Sequence, residues 1–526
     1  MQKPQGQAAS RWQALDGKRA QHLTRCRLCA KLTIPSILPD IGVDDNTDLP
    51  IPYQGLGARA VNNLSAKLLL TLFPPNTSFF RLDPDPGVIE ELKELSPENA
   101  DVKQRIEKQL RQLEQTCIQD FEQKAMRVKL FEAIRNLVVT GNSLVEIQEE
   151  GDLRVHRIDR YVVARNPRGY VREMIIEERI YKQDIPAEIA NKIRDVQPPA
   201  APSTADEPEV NLYTWIRYET DEDHWLITQE VGGVELPGSR ATYPDEKLPY
   251  LPLTWTRQDR NHYGNGHVEE NLGDLNAFDV LSQSLLEGAS AAAFLLILLH
   301  PNSQTDLQDV RRAKNGEVII GREEDLGTFK VDKVNDFRTA YEQSRVLSQS
   351  IKKTFLLTET VQRQAERVTA EEIRYMAQEL ESALGGIYSV LGAELQRPFA
   401  AKLMENQRKR GKIPALPPEV NTTIITGFDA LGRGHDLNKL REFRDEVAAM
   451  TQASGKAEDL SVYIGLSNFF MRVATALGLD TDGLVPTEEE IEQIKQQQEM
   501  YNQIMEIMNS PAVQQAMQQG MAQGGM

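Results

Sequence analysis

The sequence predicts an α+β fold, mainly α, and three observations lead there. Apolar residues recur at spacings of three and four over long stretches in both the first and last thirds of the chain. Between residues 143 and 258 the period changes to two. Helix stops and caps bound these stretches: Pro74-Pro75, Gly141-Asn142, and a Thr369/Glu372 capping box. At 526 residues, with 40% hydrophobic and 26% charged, the chain has room for roughly three or four globular domains.

Taken in order, residues 8–31 read as a helix of mixed charge, followed by an irregular Pro- and Asp-rich stretch. Leu56, Ala60, Leu64, Leu68 and Leu72 then line one helical face. The polar pair Asn62-Asn63 beside that stripe is read as bonding to neighbouring backbone. Helices are expected over 98–125 and 125–140. SLVEIQ, DLRVHRI, YVVAR and VREMIIEERI read as short strands, and NLYTWIRYE, HWLITQEV and GVELPG resume them after a Pro/Ala/acidic segment at 197–210. His156 and His224 fall in these strands as packed or solvent-facing side chains.

YGNGHVEENLGDLNAF, with Gly264, Gly266 and Gly273, lacks the third glycine and the βαβ setting of a dinucleotide fingerprint. It opens an expected helix over 267–299 whose end, ASAAAFLLILLHP, is apolar on nearly every face. GEVIIG (316–321) and TFKV (328–331) are expected to pair as a hairpin. A returning helix over 336–357 carries Arg338, Arg345 and Lys352 two turns apart on one face. After the polar loop Thr358–Val368, Ile373, Ala377, Leu380, Leu384, Ile387, Leu391, Leu395 and Phe399 form one stripe. If continuous to Arg410, that helix is on the order of 60 Å long. Gly385-Gly386 and Pro398 interrupt it, and a kink is expected near Pro398. Helices follow over 436–478 and after a Thr487/Glu490 cap, and a Gln/Met/Gly-rich tail starts at Ser510.

Net charge is −18 and the pI is near 5.1, which argues against a protein that grips phosphates through clustered Lys and Arg. Cys26 and Cys29 form a lone CxxC, and the seven histidines are scattered, so no metal site is expected. The N-terminus has no apolar signal-peptide core, and the longest apolar run, Ala291–Leu299, is about half of what a bilayer requires. GxSxG, Walker, HExxH and metal-spaced acidic motifs are absent from the sequence. No cofactor and no enzyme activity are expected.

The stretch VQRQAERVTAEEIRYMAQELESALGGIYSVLGAELQRP resembles the tunnel loop and long helix of the portal, or head-to-tail connector, family of short-tailed, T7-like phages. QGLGARAVNNLSAKLLLTLF resembles the same family, as does the order helix, small α/β cap, helix, loop, long helix. The segment TTIITGFDALGRGHDLNKLREF resembles the family's step back into helical structure.

This resemblance implies a portal fold of wing, stem, clip and crown, assembled as a homo-dodecamer. The expected wing spans 1–266, with its β-rich part at 143–258. The stem helices are 267–300 and 336–357, and the clip is 301–335. The tunnel loop is 358–369, the long helix and return segment 370–430, and the crown 431–526. Gln362, Arg363, Gln364 and Arg367 are implied to face the channel, and Arg338, Arg345 and Lys352 would face it from the stem. Implied partners are double-stranded DNA in passage, the major capsid protein, scaffolding protein, the large terminase subunit, a tail adaptor and internal core proteins, with no membrane. The implied location is the capsid vertex of the virion, after assembly in the host cytoplasm. The alternatives are a helical scaffold or adaptor that never contacts DNA, and an enzyme without a recognisable motif.

Overall fold

The structure, a computed structural model, describes residues 6–43, 47–75, 78–84, 102–148, 151–181, 209–293, 296–302, most of 305–329, 334–357, 370–411, 422–426 and scattered positions beyond. Two compact units are separated at residues 428 and 429, and nearly all the described residues lie in the first.

Helix α1 (Gln7–Leu32) buries a face that includes Trp12, Leu15, Cys26 and Cys29. On that face Arg19 is also buried, because its guanidinium donates to the backbone oxygens of Ile158, Asp159 and Tyr161 and lies over the Trp12 ring. Helix α2 (Leu56–Leu72) buries all five positions of its sequence stripe. Strand β1 (Phe80–Pro84), α3 (Val102–Gln123) and α4 (Met126–Thr140) follow.

Phe73, Phe79, Phe121 and Phe399 then meet at ring separations of 4.8–5.9 Å, an aromatic core shared by the end of α2, the start of β1, α3 and the helix Arg397–Lys409. Strand β1 pairs antiparallel with the segment Thr422–Thr426, and the Leu82 amide donates to buried Glu114 at 2.8 Å on the other side. The step back into helix expected from 422 therefore begins with a strand. Its partner lies about 340 residues upstream, and no local period signals such a pairing.

The β-rich part is two antiparallel sheets. Strands β2 (Asn142–Ile147), β3 (Leu153–His156) and β10 (Tyr250–Thr254) form one, in the order β10-β2-β3. The other runs β4 (Tyr161–Arg165), β5 (Val171–Tyr181), β6 (Glu209–Glu219), β7 (His224–Val231) and β8 (Val234–Glu235), with β9 (Ala241–Tyr243) also on β7. β2 to β8 fall on the strands read from the sequence, whereas the short β9 was not among them. His156 is buried and bonds Glu146 at 2.8 Å.

Gly141 ends α4 in the left-handed region, φ 73°. A Cβ there would lie 2.4–2.5 Å from backbone atoms of Gly264, Asn265 and Gly266. The two glycine segments thus cross backbone to backbone, and Asn142 locks them by exchanging two 2.9 Å hydrogen bonds with Gly264. Gly141→Ala combines left-handed strain with displaced backbone, a destabilisation of roughly 3 kcal/mol. The unfolding transition of the first unit in calorimetry is expected to fall by about 3 °C.

Helix α5 (His267–Glu270) and α6 (Leu272–Ala293) replace the single helix expected over 267–299. The apolar run continues instead as strand β11 (Leu296–Leu299). After α7 (Leu307–Arg312) comes β12 (Leu326–Phe329), which pairs with β11 from Leu296↔Phe329 to Leu299↔Leu326. Of the expected hairpin of 316–321 with 328–331, Thr328 and Phe329 pair with β11, and Val318 and Ile320 lie outside any strand and are about 90% exposed; the other residues of both segments lie outside the described ones. A short apolar run fits a buried helix and a strand equally well, and pairing decided for the strand.

Helix α8 (Val334–Thr354) returns as expected. The long stripe is divided among α9 (Ala370–Ala383), α10 (Ile387–Leu391), a π-helical turn (Gly392–Gln396) and α11 (Arg397–Lys409). Gly385 and Gly386, both at positive φ, break it, and the π turn precedes Pro398, so the interruptions fall where the sequence put them. Ala377, Leu380, Leu384, Leu391, Leu395 and Phe399 are buried, but the break shifts the phase and Tyr388 takes the buried place beside half-buried Ile387. From this composite helix, Tyr388 and Gln396 donate to Thr71 O and Leu72 O, the open carbonyl end of α2. The expected helices beyond 436 and the Thr487 cap fall largely outside the described residues.

Candidate functional site

Helices α6 and α8 form an antiparallel hairpin tipped by the β11/β12 ladder. Near its root Ser350 Oγ donates to Asp274 Oδ2 at 3.1 Å; near its tip Phe337 fills the space beside Gly288, where a Cβ would sit 2.1 Å from the ring. These contacts lie roughly 20 Å apart along the helices. Outside the seam between them, Val280 and Leu286 on α6 and Tyr341 and Val346 on α8 are each more than half exposed. Leu298 and Leu307 at the tip are likewise exposed. Large apolar side chains are thus exposed on both helices and at the tip of the hairpin. The run that sequence reading took as an all-round apolar helix end at 290–299 is instead the end of α6 and strand β11.

The predicted basic stripe lies on α8. Arg338 and Arg345 are exposed and Lys352 is half-buried near the root. Arg338 sits 3.5 Å from Glu342 one turn on, a solvated pair of small energetic weight. Gln362, Arg363, Gln364 and Arg367, with the Thr369 cap, lie outside the described residues. What the structure does describe is where that segment starts: Leu356 and Leu357, packed against the body of the first unit beside buried Phe355.

The sequence matches the family described as Bacteriophage head to tail connecting protein over residues 5–485. The chain belongs to that family. Among relatives of this connector, the portal protein of Escherichia phage T7 is 36% identical over 500 residues, covering 94% of this chain and 90% of the relative. The portal protein of Enterobacteria phage T3 is 34% identical, covering 92% and 89%. A solved structure titled as the neck of an empty gene transfer agent particle, computed with C6 symmetry, is 13% identical, covers 74% of this chain and 86% of its own, and superposes with a TM-score of 0.36, too low to carry weight.

Within this connector the CxxC is packing. Cys26 Sγ lies 3.5 Å from His22 Nε2, and Asn142 Nδ2 lies 3.3 Å from the same nitrogen, a Cys-His-Asn grouping in outline. Burial pushes the Cys26 thiol well above its usual range and, with Arg25 and Arg19 nearby, takes His22 down to about 4. Burial thus favours the protonated thiol over the thiolate, the opposite of what a Cys-His nucleophile needs. A cleft of about 250 Å³ on the β-rich part is lined by Arg154, Arg157, Arg160 and Arg179, but Glu178 and Asp159 already oppose the first three. Among the described residues no His/Cys/Asp/Glu group is arranged to hold a metal ion, and no helix is long and apolar enough to cross a membrane.

Sequence reading missed two residues at the hairpin root. Asn63 was assigned to nearby backbone; it does bond backbone, but that of Phe355 and Leu356. His267 was passed over as part of a failed fingerprint. Its only signal was the pair of glycines before it, Gly264 and Gly266, which pack against α4 and the turn that follows it.

Proposed function

We propose that the chain is a viral portal protein, forming the ring through which genomic DNA is packaged and later ejected. The observation that carries this is 36% identity to a portal protein across nearly the whole of both chains. The exposed apolar residues on both helices of the hairpin support it, since a ring closed head-to-tail covers two different faces of the same projection.

On this reading α6 and α8 are the stem, 301–335 the clip and 358–369 the channel loop. Residues 1–266 with 370–430 make the wing, and 431–526 the crown. The ring is a dodecamer at one capsid vertex, assembled in the host cytoplasm. It docks the terminase motor transiently and then a tail adaptor, while major capsid, scaffolding and core proteins contact the wing and crown. A DNA-free scaffold is the weaker reading, because the relatives are portal proteins. Electron micrographs of purified protein are expected to show rings with an axial hole wide enough for duplex DNA. Sedimentation giving only monomers and dimers over a wide concentration range would overturn the ring.

A further inference from the structure

The last turn of α8 is held from outside by two side chains. The helix ends in a Schellman turn: the Leu356 amide donates to Lys353 O at 3.2 Å and the Leu357 amide to Lys352 O at 2.8 Å. That turn needs a left-handed residue, usually glycine, and here it is Leu356 at φ 52°. A leucine pays steric strain in that region and stays there only when its surroundings hold it.

The surroundings do so through three consecutive carbonyls. His267 Nε2 donates to Thr354 O at 3.2 Å. The Asn63 amide group donates to Phe355 O at 3.4 Å and to Leu356 O at 3.0 Å. Oxygens at the negative end of a helix are favoured targets for such donors. Both donors are themselves rigidly placed. Asn63 sits mid-way along α2, and the His267 ring packs edge-on against Phe355 at 4.8 Å and beside Trp255 at 5.7 Å. Gly266, just before His267, is pressed against α4 so closely that a Cβ would lie 2.8 Å from Val138 O and Val139 O.

We infer that Asn63 and His267 are positioning residues, a clamp that holds Leu356 left-handed and so fixes the direction in which the chain leaves the stem. The importance of that direction for DNA rests on the proposed channel role of 358–369. The clamp itself rests only on the contacts above.

The test uses full-length rings. Asn63→Asp keeps the shape but replaces the donor group with a carboxylate that repels the two carbonyls. Hydrogen exchange at the Leu356 and Leu357 amides is expected to quicken by at least tenfold, with the middle of α8 unchanged, and trypsin to cut faster after Arg363 and Arg367. Adding Leu356→Gly, which adopts the left-handed turn without strain, should restore most of the protection. A residue that merely packed would show no such rescue. If Asn63→Asp rings fail to form, Leu356→Gly alone decides: relief of the strain should slow exchange at Leu357 by roughly fivefold. Unchanged exchange at both amides in Asn63→Asp, or no slowing in Leu356→Gly, overturns the clamp. Normal packaging, retention and ejection of DNA by particles whose rings lack 360–366 overturns the channel reading instead, and leaves the exchange result standing.

Discussion

Rings in which Arg338, Arg345 and Lys352 are all changed to Glu are expected to assemble but to package almost no DNA. The three positions are seven residues apart on α8, roughly 10 Å per step, so in a ring they make three stacked tiers of positive charge. The chain carries −18 overall, and on the proposed reading such tiers would interrupt an otherwise repulsive field along the channel. Each reversal moves the local charge by two units in every subunit, on the face that the proposed channel reading turns toward the duplex. DNase-protected DNA in a packaging assay should fall at least tenfold. Because Lys352 lies in the last turn of α8, where a carboxylate is disfavoured by about 0.5 kcal/mol, the Arg338/Arg345 pair is the control, and it should retain most of the defect. Wild-type rings should bind free duplex weakly, without sequence preference and with a shallow salt slope, since few phosphates are contacted. Normal packaging by the triple variant would put the stripe in a subunit contact or on the outer face.

Removing residues 360–366 is expected to have a comparable effect at a different step. That deletion takes Gln362, Arg363 and Gln364 from the proposed lumen while leaving Leu356, Leu357 and α9 in place. The described apolar surfaces of the hairpin are untouched, so rings should form at normal yield in electron micrographs. Particles should then lose packaged DNA, fail to fill, or fail to eject, with infectivity down by at least a hundredfold. Particles that package, retain and eject normally would remove the segment from the channel.

Local order was legible wherever a period of 3.6 or 2 ran long enough to fix a buried face. The five-residue stripe of α2, the boundaries of α4 and the eight residues of β7 all follow from pattern and punctuation. The Gly385-Gly386 break and the irregularity before Pro398 follow from the backbone chemistry of those residues. What the pattern could not give was long-range partnership. LILL reads the same in a buried helix and in a strand, and only β12 across the hairpin tip decides it. The site divides in the same way. The stripe on α8 is a spacing rule and was visible, whereas the donors that hold its end come from α2, almost 300 residues upstream, and from the turn that opens α5. Nothing near Leu356 in the sequence points to Asn63.

The pairing of β1 with Thr422–Thr426 also sets a clock. Ribosomes add roughly 5–20 residues per second, so about 340 residues separate the birth of one strand from that of its partner by roughly 20 to 70 seconds. Throughout that interval β1 lacks its strand partner and offers an open edge on that side. The Tyr388 and Gln396 donors that finish the end of α2 arrive nearly as late. A chain cut short by premature termination before residue 422 therefore keeps an unpaired strand that a finished chain has hidden. Such a chain would offer that open edge to chaperones, proteases and other copies of itself.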